Sequence, residues 1–170
     1  GNLYGTTQPA TIVASLQPAH GLPPDPAGPW AANLGPERTA RGWMSGSLAK
    51  GGAPLASGPD WPVVSRDPRR GIFVAVNRTS FEGEPEGGWI PLKGPSPRET
   101  YPACNTVAVR AALPVSRKGT LERDMLADIV IFSADLFSLP PDRLLEAEVV
   151  MTIMDGKVVF RRDAPDATDQ

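Results

Sequence analysis

The side chains able to do chemistry are few and stand in two short stretches. His20, the single histidine, ends the segment Gln17-Pro18-Ala19-His20, which follows the largely apolar run Thr11-Ile12-Val13-Ala14-Ser15-Leu16. Asp60 follows a second apolar run through Ser57-Gly58-Pro59 and is succeeded at once by Trp61-Pro62. A carboxylate at the mouth of a strand is where α/β barrels place catalytic groups and metal ligands. The same Gly-Pro-Asp sequence also makes an ordinary turn. His20 reads either as an active-site group or as a loop histidine bonding a backbone carbonyl. With one imidazole in the chain, any metal site or nucleophile–histidine pair built wholly within it must use this one. Cys104 has no histidine nearby in sequence and reads as a buried or incidental thiol. Glu82, Glu84 and Glu86, set among Gly and Pro, read as a solvated loop, and Arg66, Arg69 and Arg70 as a solvated helix start. Trp61 either walls a pocket or packs beneath its strand.

The elements that must position these groups follow from hydrophobic pattern and punctuation. Residues 11–16 read as a buried strand whose end delivers Gln17 and His20 to a loop. Residues 21–36 hold five prolines and three glycines and read as loop. Glu37–Lys50 has helical composition, with Trp43, Met44 and Leu48 on one face, and Gly51-Gly52 ends it. A strand at 53–57 leads to Asp60. Asp67-Pro68 supplies an N-cap and a first-turn proline for a helix through Asn77, with Ile72, Phe73, Ala75 and Val76 as its apolar face. Strand, loop, helix, strand, helix is the order of a parallel sheet with covering helices. Residues 79–102 read as loop, Asn105–Leu113 as a short helix capped by Asn105, Asp128–Phe132 as a strand, and 133–142 as a loop. Residues 147–162 carry alternating apolar residues about Asp155-Gly156, the signal of a type I′ hairpin. The tail after Asp163 is expected to fray.

Composition narrows the function classes. The net charge of −2 gives no reason to expect nucleic acid or another polyanion. No run approaches the roughly 18 apolar residues of a membrane span. The lone cysteine excludes an internal disulfide and fits a reducing compartment, so a cytoplasmic location is the expectation. With 20 prolines and 17 glycines among 170 residues, the chain is folded but loop-rich. A complete (β/α)8 barrel takes about 250 residues and its compact versions about 200. This chain carries two recognisable βα units, then antiparallel β structure. It is expected to be a piece of something larger or a small α+β domain, and its start, Gly1-Asn2-Leu3, favours the piece.

In this order the segments resemble the C-terminal part of the metal-dependent amidohydrolases, in the amidohydrolase 3 group with its N-substituted formamide deformylase-like enzymes. Ile12 to His20 resembles that group's strand-seven motif, an apolar run ending Q-P-x-H. Leu34-Gly35-Pro36-Glu37-Arg38 resembles its L-G-x-E-R helix entry, and Ser57-Gly58-Pro59-Asp60-Trp61-Pro62-Val63 its strand-eight G-S-D-W-P-V. Asp67-Pro68 with Ala75-Val76-Asn77-Arg78, the run from Gly119 to Ile131, and the hairpin from Val149 to Phe160 complete the series, which spans about residues 10–162. The resemblance implies hydrolysis of a non-peptide C–N bond (amide, formamide or cyclic amide) in a small-molecule substrate by metal-activated water, with zinc the usual divalent ion. It implies that Asp60 is both a metal-site group and the base taking a proton from the attacking water, and that His20, Gln17 and Trp61 face the substrate.

The same resemblance implies an α/β fold: the last two βα units of a (β/α)8 barrel within residues 1–113, a β-rich segment of a small composite domain over 114–163, and a disordered tail from 164. The metal ligands that the family carries on its earlier strands are absent. Catalytic zinc takes about three protein ligands plus water, and His20 and Asp60 supply two at most. Pro59 stands where the family has Ser, Asp124 where it has a turn glycine, and residues 95–117 are shorter than the family's long helix. The chain alone is therefore expected to be inactive. The alternative is a non-catalytic β-rich binding or assembly module, or the product of a degraded gene.

Overall fold

A computed structural model of the chain describes residues 12–21, 28–90, 94–112 and 117–162. Thr11, Leu113, the proline-rich 22–27 and the tail from 163 lie outside them, with the sequence expectations that fall there. Among these residues the fold is mixed α/β, with two separate small sheets. Strand β1 (Ala14–Leu16) pairs in parallel with β2 (Leu55–Ser57), Leu16 opposite Ser57. Strands β3 (Ile129–Phe132), β4 (Val149–Met154) and β5 (Lys157–Arg161) form an antiparallel sheet in that order. Among the described residues five helices accompany them: α1 (Pro29–Thr39), α2 (Ser45–Lys50), α3 (Pro68–Asn77), α4 (Pro97–Cys104) and α5 (Thr106–Ala112). Single 3₁₀ turns cover Pro18–Gly21 and Pro141–Glu146.

Several elements form as their residues dictate. The Asp67 side chain accepts from the Arg69 backbone N–H at 3.0 Å, and Pro68 occupies the first helical position, where its missing N–H costs nothing. The Asp155-Gly156 turn has φ of 48° and 76°, the two left-handed residues a type I′ hairpin requires. It is held from below: the Asp128 carboxylate accepts from the Asp155 N–H at 2.9 Å and pairs with Lys118 at 3.0 Å. Asp124, standing where a turn glycine was expected, adopts the glycine-like φ of 67°.

Other expectations are corrected. Residues 29–36, taken as loop for their prolines, belong to α1, because Pro29 sits at its start. Gly35 (φ 72°, ψ 166°) kinks α1 and Pro36 restarts it beyond the kink. The single helix expected over 37–50 is broken after Thr39, and Trp43 in the left-handed region (φ 46°) separates α1 from α2. Residues 97–102, also taken as loop, belong to α4, which forms behind a capping box: Glu99 accepts from the Ser96 N–H at 2.7 Å and Pro97 opens the helix. The strand expected to be buried at 11–16 is short, with Ser15 exposed and Ala14 and Leu16 half-buried, because among the described residues β1 has one strand beside it. Leu55 and Ala56 of β2 are buried.

The core lies along α3. Ile72, Phe73 and Val74 pack with Leu144 of the second 3₁₀ turn, which is 2% exposed, and Val76, Phe81, Tyr101 and Cys104 complete the cluster. Arg69 ties the start of α3 to the antiparallel sheet: it grips both Asp67 oxygens and donates to the Ala147 carbonyl at 2.6 Å. The solvated helix start expected there is thus a structural brace. Arg66 and Arg70 lie over the Trp61 and Phe81 rings, 5.4 and 4.2 Å from their centroids.

Candidate functional site

The parallel register brings the two chemical stretches together. β1 and β2 end level, and the Gly58 N–H reaches the Leu16 carbonyl at 3.1 Å, extending the ladder one step past β2. The chain then turns on each side. After Leu16, the His20 N–H closes a 3₁₀ turn on the Gln17 carbonyl at 3.0 Å; Ala19 of that turn is buried. After Ser57, Gly58-Pro59 leads to Asp60 at φ 56°, a left-handed conformation that Asp tolerates better than most residues. The Asp60 carbonyl accepts from the Val63 N–H at 2.9 Å, closing the loop.

The outcome is a pair. His20 Nε2 stands 3.6 Å from Asp60 Oδ2, with the side chains 34% and 57% exposed. The separation is longer than a hydrogen bond, and a charged contact in this much water is worth about 1 kcal/mol at most. The pair therefore adds little stability. It is two donor groups held at one strand-end mouth, Pro59 notwithstanding.

Gln17 and Trp61 are placed differently. Gln17 is half-buried, and its backbone carbonyl closes the His20 turn. Trp61 is 61% exposed beside Arg66, which rules out packing beneath its strand. Next to the pair lies a mostly apolar cleft of about 440 Å³. Its walls include Ala19 and Pro59, the chain neighbours of His20 and Asp60, together with Ser57, Arg70, Phe81 and Cys104. His20, Asp60, Gln17 and Trp61 are not among its lining residues. Burial pushes the Cys104 thiol up to about 11, against a lowering hydrogen bond with Ser57, so at neutral pH it is an inert wall group.

Two features near this mouth were not read from the sequence. Trp30, Trp43 and Trp89 form an aromatic cluster with centroids 4.5, 5.8 and 5.2 Å apart. Arg78, quoted above only as part of a motif, is buried beside Trp43 and Trp89. The signal available was the Trp content.

The sequence model of the amidohydrolase family matches residues 5–160, so the chain belongs to that family. Among curated proteins, it is 37% identical over 153 residues to "Protein LONG AFTER FAR-RED 3" of Arabidopsis thaliana, covering 88% of this chain and 25% of that protein. It is 28% identical over 143 residues to "Putative amidohydrolase YtcJ" of Bacillus subtilis (strain 168), covering 79% of this chain and 26% of that protein. The chain thus spans about a quarter of the length of these relatives. No solved structure matches it.

Family members generally use a divalent metal. The donors at hand do not make a complete site for one: among the described residues, no three His, Cys, Asp or Glu side chains converge, and His20 with Asp60 falls short of the three protein ligands of catalytic zinc. No described helix is long and apolar enough to cross a membrane.

Proposed function

We propose that the chain is the C-terminal part of an amidohydrolase that hydrolyses non-peptide C–N bonds, contributing two adjacent strand ends of its active-site mouth. The observation that supports this best is the convergence of His20 and Asp60 from the level ends of parallel strands. In this reading Asp60 takes a proton from the attacking water. The water oxygen bonds to the carbonyl-type carbon, the C–N bond breaks, and the proton passes to the leaving nitrogen. His20 lies within reach of the same carboxylate and faces the substrate; Gln17 and Trp61 flank it. Zinc is the cofactor we propose for the whole protein, with its remaining ligands supplied from outside the described residues. Residues 1–113 belong to the barrel and 114–163 to a small β domain.

The 170-residue chain alone is then inactive. The test is to assay it with added Zn²⁺ on amide and formamide substrates, with Asp60→Asn as control. Turnover that depends on Asp60 refutes the claim of inactivity. A second reading, a non-catalytic β-rich module, draws support from the exposed Val158, Val159 and Phe160 of β5. The two separate on a partner-binding assay: a module keeps its partner in Asp60→Asn and loses it when Val159 and Phe160 are made polar.

A further inference from the structure

The cleft beside the His20–Asp60 pair is selective in what it can hold. Its apolar wall is made by Pro18, Pro59, Val64 and Phe81. Its polar side chains answer one another. Both Asp67 oxygens hold Arg69, the Ser65 Oγ accepts from the Asp67 N–H at 3.2 Å, and the Cys104 thiol is hydrogen-bonded to Ser57. Arg70 lies over the Phe81 ring at 4.2 Å, and its charge acts on the carboxylates of Asp67 and Glu82. An anion entering here meets the Asp67 carboxylate in the same wall and competes with two carboxylates for Arg70. A neutral apolar group meets neither cost.

Two glycines keep the cleft open. Gly58 follows β2 and Gly71 lies within α3, and both line the space. Neither is in the left-handed region, so the backbone does not require glycine at either position. Packing does not require it either: a Cβ on Gly58 or on Gly71 meets nothing within 4 Å. At position 71 glycine weakens the helix that contains it. What the two missing side chains leave clear is the wall of a cleft of about 440 Å³. An apolar cavity of about 150 Å³ is enough for benzene, so an aromatic ring with a short chain fits.

The cleft adjoins the pair through the chain itself. Ala19 and Pro59 line it, and the residues that follow them are His20 and Asp60, whose side chains meet at 3.6 Å. A group seated in the cleft is therefore one residue away from the pair on both strand ends. We infer that the cleft is a substrate subsite, taking a neutral apolar group of at least one aromatic ring carried by the amide whose C–N bond meets Asp60. This inference rests on the amidohydrolase chemistry proposed above. Gly71 and Phe81 set the size of the group that fits, and Asp67 selects against an anionic one.

The test is a ligand-observed NMR titration of the 170-residue chain with acetanilide, acetamide and 4-acetamidobenzoate. Acetanilide should bind about 10–100-fold more tightly than acetamide, through burial of its ring, and more tightly than 4-acetamidobenzoate, whose carboxylate opposes Asp67. It should also slow alkylation of Cys104 in the cleft wall by iodoacetamide, about tenfold at ten times its Kd. Gly71→Leu puts a side chain into the cleft, favours α3, and should abolish the preference for acetanilide. Val64→Asp places a charge in the wall, should weaken the same preference, and keeps the proposal testable if Gly71→Leu fails to fold. Equal binding of acetanilide and acetamide overturns the proposal, as do tighter binding of the carboxylate, unslowed alkylation of Cys104, and a preference undiminished in either variant. None of these measurements involves turnover, so a failed subsite leaves the amidohydrolase reading to be judged by its own Asp60→Asn assay, and failure there leaves the binding result standing.

Discussion

Asp67 offers the sharpest test of how this chain holds its helices. Its carboxylate caps α3 at 3.0 Å from the Arg69 N–H and pairs through both oxygens with the Arg69 guanidinium, the shortest contact being 2.6 Å. Losing the cap costs about 1 kcal/mol, within a range of about 0.5–2. The ion pair, with side chains 27% and 25% exposed, adds about 0.5–1 kcal/mol after allowance for solvent. Asp67→Ala should therefore destabilise by about 1.5–3 kcal/mol near neutral pH. Asp67→Asn keeps a capping oxygen and should lose only the charged part, about 0.5–1 kcal/mol. The hydrogen bond from the Arg69 side chain holds the Asp67 carboxyl below its ordinary value, against desolvation. A depressed carboxylate contributes stability that is present above its unfolded pKa and lost as pH falls through the folded one. The gap between wild type and Asp67→Asn should thus be full above the ordinary carboxylate range and close as pH falls below it. Urea unfolding of the three proteins across that range measures it. A constant gap, or an Asn variant as stable as wild type at neutral pH, refutes the assignment.

Leu144→Ala empties the contact between the second 3₁₀ turn and α3, where Leu144 is 2% exposed, and should cost about 2–5 kcal/mol in the same assay. Cys104 should react with iodoacetamide roughly a hundredfold more slowly than an ordinary thiol near pH 8, with the rate rising towards a midpoint of about 11; a midpoint near that of a free thiol contradicts its burial. Asp124→Gly relieves a non-glycine residue at φ 67° and should stabilise by about 0.5–1 kcal/mol, read as a shift in the urea midpoint; a loss of stability shows that the Asp side chain holds the turn.

The sequence by itself determined what depends on near neighbours. Asp67-Pro68 had to begin a helix, because a short carboxylate can reach an N–H two residues on and a proline lacks the donor that a helix start leaves unused. Asp155-Gly156 had to turn, because both residues accept the left-handed conformation. The order of motifs from Ile12 to Phe160 fixed the family. Local reading failed where one residue serves two ends: Pro29 and Pro97, counted as loop formers, open helices α1 and α4, and the Ser96–Glu99 box that marks the second start was there to be read. Only the tertiary structure decided the rest, because those features join residues far apart in the chain. The parallel pairing of Leu16 with Ser57 sets His20 within 3.6 Å of Asp60 across forty residues of sequence. The packing of three indoles around the end of α3 turned Arg78, which composition alone would leave in solvent, into a buried cation. A side chain's burial depends on what the fold lays over it, and no window of neighbouring residues contains that information.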